Sequence, residues 1–306
     1  MYMATILITG GTGLIGLGLA EMLKIQGHRL HLLSRSTKLV KPYDAVFSWD
    51  VKSGSIDEKA FDGVDVIVHL AGAGIADQRW TDERKAEILS SRVDSAKLIL
   101  ETLKHRNQTI SAFVSGSAIG WYGAYSDSLI HNETEPAASD FMGETCRKWE
   151  YAADLFHDVA ERIVKIRTGV VLDKNSGALP KMAQPVQWFV GSPLGSGKQQ
   201  IPWIHWKDIC TIFTNAVSDS RYYGAINAIA TENCTNKEFT KVLAIVLHRP
   251  MLPIHVPSFV IKALFGEMAA VVLEGSKVSN HRIKQMGYDF KFSNLEEALK
   301  DIIVAK

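Results

Sequence analysis

No stretch of this 306-residue chain is a long apolar run, and a membrane-spanning helix needs ~18 such residues. Net charge is nearly absent: 34 Lys and Arg against 33 Asp and Glu leave +1. That balance argues against bulk nucleic-acid binding and against anchoring on acidic membranes. Cysteine is scarce. Cys146, Cys210 and Cys234 are odd in number and far apart, so neither a disulfide framework nor a zinc site is expected. Reduced thiols in a cytoplasmic protein are expected instead. The first residues enter a strand with no basic segment or cleavage site, so no secretory signal is expected. Internal repeats and low-complexity runs are missing too. What is present is an ordinary soluble composition, 46% hydrophobic and 22% charged, long enough for one large domain or two modest ones.

The richest segment is the first. Ile6, Leu7 and Ile8 form an apolar run that ends in Gly10, Gly13 and Gly16. A helix with Leu19, Met22 and Leu23 on its inner face follows. Strand, glycines, helix is the order that builds a dinucleotide pyrophosphate site. Gly10 permits the tight turn, Gly13 lets the backbone approach the phosphates, and Gly16 lets the helix pack on the strand. The helix N-terminus then offers free N–H groups to the anion.

Strands are predicted at 4–9, 29–34, 45–48, 64–71, 110–117 and 161–168, with a seventh at 224–229. Between them lie helices at 13–26, from a Thr81 cap to about 105, and at 141–158, with another at 208–217. Such alternation implies an α/β fold, a Rossmann doubly wound parallel sheet of about seven strands. Residues 1–172 would form the dinucleotide-binding domain, with 205–230 returning to it. Residues 173–306 would form a smaller, mostly helical substrate lobe over the carboxyl edge of the sheet. Thr235 with Glu238 and Ser293 with Glu296 have the spacing of capping boxes.

The end of the second strand distinguishes NAD from NADP. A carboxylate there would bond the ribose 2′-hydroxyl, and a basic residue would hold the 2′-phosphate. The chain has Ser34, Arg35 and Ser36, with Lys38 beyond and no carboxylate. NADP is therefore the expected cofactor; the plainer alternative is a solvated surface arginine. Asp50 has two readings, a partner for the adenine amino group or a loop cap. Leu70, Ala71 and Gly72 would border the cofactor where it crosses the sheet edge.

With these residues assembled, the chain resembles the extended short-chain dehydrogenase/reductase superfamily, related to nucleotide-sugar epimerases. Residues 9–16, 69–72, 115–123 and 167–172 carry the likeness. Residues 72–80, 202–205 and a C-terminal domain around 266–269 resemble one atypical, epimerase-like subgroup of oxidoreductases of unknown substrate. The likeness covers nearly the whole chain. It implies that Gly10, Thr12, Gly13, Leu14, Ile15, Gly16, Ser34, Arg35, Ser36, Asp50, Leu70, Ala71, Gly72, Arg167 and Thr168 hold the cofactor.

The superfamily implies a catalytic Ser, a Tyr-x-x-x-Lys pair and an upstream Asn. Tyr and Lys must stand one helical turn apart to reach the same point. Ser117 matches the serine, but Met142 stands at the tyrosine position, Cys146 at the lysine position and Arg92 at the asparagine position. Tyr122 is the substitute donor, or packs under its loop. Cys146 is a nucleophile or acid, or fills the space of the lost lysine. Arg92 clamps a substrate carboxylate or phosphate, or pairs with Glu150 or another helix carboxylate. His205 and Asp208 cap a helix and fix the lobe to the sheet, with His205 as general base the alternative. Trp80, Trp121, Trp203 and Gln78 line the pocket or serve as core. The expectation is an NADP-dependent oxidoreductase or epimerase-like enzyme acting on a small polar metabolite. The alternative is a non-catalytic NADP(H)-binding sensor or partner-binding protein.

Overall fold

The computed structural model describes residues 3–124, 129–230 and 234–304. Strand β1 (Thr5–Thr9) turns through the glycines into helix α1 (Leu14–Ile25). Strands β2 (Arg29–Ser34), β3 (Ala45–Asp50), the short β4 (Ser55–Ile56) and β5 (Val66–His69) follow. Helix α2 (Asp82–His105) starts at Thr81, whose Oγ1 accepts from the Arg84 N–H. Next come β6 (Ala112–Ala118), β7 (Ile130–His131), α3 (Phe141–Asp154), β8 (Ile163–Thr168), β9 (Val170–Leu172) and α4 (Leu179–Gln187). Strand β10 (Trp203–His205) runs into α5 (Trp206–Ser218), and β11 (Gly224–Ala228) leads to α6 (Asn236–Val246). The chain closes with α7 (Ser258–Phe265), α8 (Ala270–Leu273), β12 (Lys277–Val278), α9 (His281–Gln285) and α10 (Leu295–Ile303).

Among the described residues the main sheet holds eight strands, ordered β11-β8-β6-β5-β1-β2-β3-β4. Every neighbour pair is parallel except β3 with β4. The fold is the doubly wound α/β sheet that the sequence predicts, with β4 added as an antiparallel edge. Strand order reverses between β1 and β5, and ligands of such sheets bind at that crevice, outside the carboxyl ends.

Side-chain alternation makes the two layers. Ile6 and Ile8 face α1 and α5, together with Val66, Val68, Val114 and Ile166. Leu7, Ile67 and Phe113 face the opposite way, toward Ile99 and Leu103 of α2 and Ala152 and Ala153 of α3. The first layer runs on without a break into Ala183 of α4, Phe239 and Leu243 of α6 and Leu299 of α10.

Three local expectations change. Strand 64–71 shortens to Val66–His69: Leu70 N closes the last rung on Thr9 O at 3.1 Å, and Ala71 N turns to the Thr9 side chain, Oγ1, at 3.2 Å. The helix at 141–158 stops at Asp154, and a 3₁₀ turn over Leu155–Asp158 completes the span. The Thr235–Glu238 capping box forms, but Ser293 and Glu296 do not make one. Asn294 caps α10 instead, accepting from the Glu297 N–H at 3.1 Å. Asp208 holds the N–H groups of Lys291 and Phe292, so the chain enters that helix one residue later. Trp203 is wholly enclosed in the core, so of its two readings the core one describes it.

His205 caps α5, its Nδ1 accepting from the Lys207 N–H at 3.1 Å, and its ring stacks on Phe292 at 3.8 Å. Nε2 lies 3.2 Å from Asp301 Oδ2, off hydrogen-bond alignment. Asp208, also buried, accepts from Tyr288 Oη at 2.9 Å, Lys291 N at 2.9 Å and Phe292 N at 3.0 Å. The pair fastens the C-terminal segment to α5.

Two predictions follow from this clasp. Asp208→Ala leaves the Lys291 and Phe292 N–H groups without an acceptor, while the Tyr288 hydroxyl keeps the Asp208 backbone carbonyl at 3.1 Å, and should destabilise by about 2–3 kcal/mol, read from the urea midpoint. Burial lowers the His205 pKa to about 4, below its unfolded value. The neutral ring's contribution is therefore complete above pH ~6.5 and falls away as pH drops toward the folded pKa. Melting temperature should decline across that window, with a shallower slope in His205→Asn, which keeps a cap acceptor.

Candidate cofactor and catalytic site

At the carboxyl end of β1 the chain comes as close to β5 as backbone allows. Gly10 sits at φ +67°, and a Cβ on it would stand 2.6 Å from the Leu70 carbonyl carbon. A Cβ on Gly11 would stand 2.1 Å from the Tyr43 hydroxyl. That hydroxyl donates to Gly11 O at 2.8 Å and also lies 3.3 Å from Gly16 O. Tyr43 thus props the loop from below, and burial raises its pKa beyond the usual phenol range. Helix α1 begins at Gly13 with no side-chain cap. Its first N–H groups keep their donors for an anion. Thr12 and Gly13 are exposed, and Leu14 and Ile15 are half-buried.

Beyond β2, Arg35 is exposed and has no ion-pair partner among the described residues. Ser34 Oγ and Ser36 Oγ accept turn N–H groups at 3.2 and 3.4 Å, which leaves both hydroxyl protons to donate. Arg35 with two hydroxyls is a donor set for a phosphate. Asp50 makes the bonds of its loop-cap reading: Oδ1 accepts from Lys52 N at 3.0 Å and Oδ2 from Ser53 Oγ at 3.0 Å. The backbone bond from Lys52 is the main reason its pKa is lowered.

Met142 and Cys146 lie one turn apart on α3 and meet the same backbone. A Cβ on Gly120 would stand 2.8 Å from Met142 Cε and 3.5 Å from Cys146 Sγ. The register inferred for the missing Tyr-x-x-x-Lys pair therefore has the spatial convergence that chemistry requires, but without an acid or a cation. Cys146 Sγ lies 3.6 Å from Ala118 O, and burial pushes its thiol up to about 12. It is a neutral thiol at physiological pH.

Ser117 donates its hydroxyl to Glu150 Oε1 at 2.7 Å. Glu150 in turn grips Arg167, with Nε at 2.8 Å and Nη2 at 3.0 Å. Arg167 Nη1 donates to Tyr122 Oη at 3.0 Å, and Tyr122 Oη donates to Asn227 Oδ1 at 2.8 Å. The guanidinium also lies flat on Trp121, 3.8 Å from its centroid. Burial works against the Arg167 charge, but Glu150 more than offsets it and its pKa is raised. Burial pushes the Tyr122 phenol up to about 12. Ser117 thus has its proton committed inward and keeps only acceptor capacity. Arg167 and Tyr122 spend their polar atoms on each other and on the sheet, while Thr168 Oγ1 returns to Ile166 O at 3.3 Å.

Arg92 is not part of this chain of bonds, and the alternative of an Arg92–Glu150 pair does not form. Its Nη1 donates to Ile88 O at 2.7 Å and its Nη2 to Ala73 O at 3.0 Å, with the guanidinium carbon 4.9 Å from the Trp149 ring. Gly72 borders it so closely that a Cβ there would stand 3.0 Å from Arg92 Cζ. Trp80 Nε1 donates to Ile75 O at 2.9 Å and its ring meets Phe141 edge-on. Gln78 is exposed beside it.

Residues 6–153 match the model of the NAD dependent epimerase/dehydratase family, and residues 256–302 match a domain of unknown function, DUF1731. An "Epimerase family protein SDR39U1 homolog, chloroplastic" of Arabidopsis thaliana is 36% identical over 98% of this chain and 86% of its own length. The crystal structure of human epimerase family protein SDR39U1 (isoform2) with NADPH superposes with a TM-score of 0.86 at 34% identity, over 99% of this chain and all 100% of that one. The chain belongs to the epimerase family. A UDP-glucose 4-epimerase of Thermotoga maritima shares the fold, with a TM-score of 0.79 at 17% identity over 98% of this chain and 97% of that one.

Within this epimerase-family chain, several contributors escape sequence reading. Tyr43 lies 32 residues from the loop it supports, with no local signature. Trp149 and Asn227 read as ordinary helix and strand residues. Arg167 did carry a signal: a charge following Ile166 near the carboxyl end of a central strand demands a partner where it is buried. Removing one member of that pair leaves the other's charge enclosed. Arg167→Met should therefore destabilise by about 3–5 kcal/mol, and adding Glu150→Gln should recover much of the loss, measured by chemical denaturation of both variants.

Proposed function

We propose that this epimerase-family protein binds NADP(H) and acts as an oxidoreductase on a small polar metabolite, with a non-standard catalytic site. The observation that carries the reading is the cradle at the head of the sheet. Gly10 and Gly11 permit the close turn, α1 opens without a side-chain cap, and Arg35, just past β2, has no ion-pair partner among the described residues. The NADPH of the human relative's crystal structure supports the same choice.

In this reading the α1 N-terminus takes the pyrophosphate, Arg35 with Ser34 and Ser36 takes the 2′-phosphate, and residues 70–72 border the cofactor along the sheet edge. When bound, the nicotinamide supplies hydride chemistry at C4. Ser117 accepts a hydrogen bond from a substrate hydroxyl, since Glu150 holds its own proton. The loss of the usual tyrosine and lysine supports a second reading, a cofactor-binding sensor without turnover. A cytoplasmic setting belongs to the first reading and is supported by three buried, unpaired thiols.

Purified protein with NADPH, mixed with a metabolite library of carbonyl compounds and sugar nucleotides, should lose absorbance at the nicotinamide band with a subset of them. Tight NADPH binding without turnover in any class would favour the sensor. An Arg–phosphate contact contributes enough that Arg35→Ala should weaken NADPH binding about 10- to 100-fold while leaving NADH nearly unchanged, as read by fluorescence titration.

A further inference from the structure

We infer that Arg92 is the site's anion receptor and that the substrate carries a carboxylate which it binds. The inference rests on the cofactor reading above for its place beside the nicotinamide. Its own support is electrostatic.

Two other arginines turned into the protein are balanced by carboxylates: Arg167 faces Glu150 at 2.8 Å and Arg84 faces Glu87 at 2.6 Å. Arg162 also meets backbone carbonyls, but three of them, Ala216 O, Val217 O and Tyr222 O at or just past the C-terminal end of α5, with the Asp219 charge nearby. Arg92 has no carboxylate within ion-pair distance among the described residues. It spends only two of its donors, both on backbone carbonyls. The side chains and backbone around it are Gly72, Trp149 and Cys146, none of them anionic, and Arg84 adds a further positive charge nearby. Burial lowers its pKa, Cys146 partly opposes that and Arg84 adds to it, while Glu150 is already occupied by Arg167 and Ser117.

Geometry favours a planar acid. The guanidinium plane is fixed from one side by Trp149 and anchored by Ala73 O, so its free edge presents a fork of N–H donors at a set orientation. Gly72, lacking a side chain, keeps that approach open from the cofactor edge of the sheet. A cationic fork resting on Trp149 of α3, beside the point where Met142 and Cys146 replace the usual tyrosine and lysine, would orient a 2-oxo or 2-hydroxy acid by its carboxylate. The same donors could meet a cofactor phosphate, and the experiment separates the two sources.

Oxalate serves as the probe, because it is planar, anionic and inert to hydride; oxamide is its neutral isostere. NADPH affinity is measured first, by fluorescence, on wild type, Arg92→Gln and Arg92→Lys. Oxalate and oxamide are then titrated into the protein with and without NADPH, followed by melting temperature and nicotinamide fluorescence. Expected are a saturable response of wild type to oxalate and none to oxamide. Arg92→Gln should lose at least tenfold in oxalate affinity and keep NADPH affinity within about threefold, while Arg92→Lys keeps part of the response. No oxalate response in wild type, an equal response to oxamide, or an unchanged response in Arg92→Gln would each overturn the inference. A tenfold loss of NADPH affinity in Arg92→Gln would assign the cation to the cofactor instead. Failure of wild type to bind NADPH would sink the cofactor reading, and the cofactor-free titration would still decide Arg92. Should Arg92→Gln not fold, the wild-type contrast of oxalate with oxamide and the Arg92→Lys response decide the matter.

Discussion

The buried ion pair of Glu150 with Arg167 ties together the parts of the protein that a substrate would meet. It joins α3 to β8, and through Tyr122 and Asn227 it reaches β11 at the edge of the sheet. Trp121 lies flat on the guanidinium, so the loop after β6 is held by the same charge. Two opposite charges taken out of water are costly unless every donor and acceptor is satisfied. Here the bidentate grip, the Ser117 hydroxyl and the Tyr122 phenol supply that satisfaction. The arrangement is rigid for that reason, and it decides in which direction Ser117 holds its proton.

That constraint changes how the altered catalytic positions are understood. With tyrosine and lysine absent, the helix contributes a thioether and a neutral thiol. The remaining polar groups on the sheet side are locked into one another. The uncommitted charge comes from α2, where Arg92 rests on Trp149 and reaches the backbone beyond β5. At the other end of the crevice, Arg35 also lacks an acidic partner among the described residues.

Much of the architecture was legible because its signals are local. Strand alternation at Ile6, Leu7 and Ile8, the glycines after them, Thr81 before α2 and the Thr235–Glu238 box each involve residues a few positions apart. Boundaries failed where a distant residue intervened. Asp208 displaced the cap of α10 by gripping Lys291 and Phe292, and the Thr9 side chain took the Ala71 N–H just past the last rung of β5. Site residues followed the same division. The spacing of Met142 and Cys146 brings both side chains to Gly120, and Asp50 caps its loop through residues two and three positions on, while Tyr122 and Arg167 found distant partners that no spacing rule reveals.

The sequence by itself determined the doubly wound sheet, the dinucleotide cradle and the absence of a carboxylate beside Arg35, since periodicity, glycine placement and residue type act over short range. Only the tertiary structure decided which charges are spent and which are free. Glu150 had two arginines within plausible reach. Packing of α3 on β8 gave it to Arg167 and left Arg92 without a counter-charge, because a buried carboxylate pairs with the cation whose donors arrive in register, wherever that cation lies in the chain.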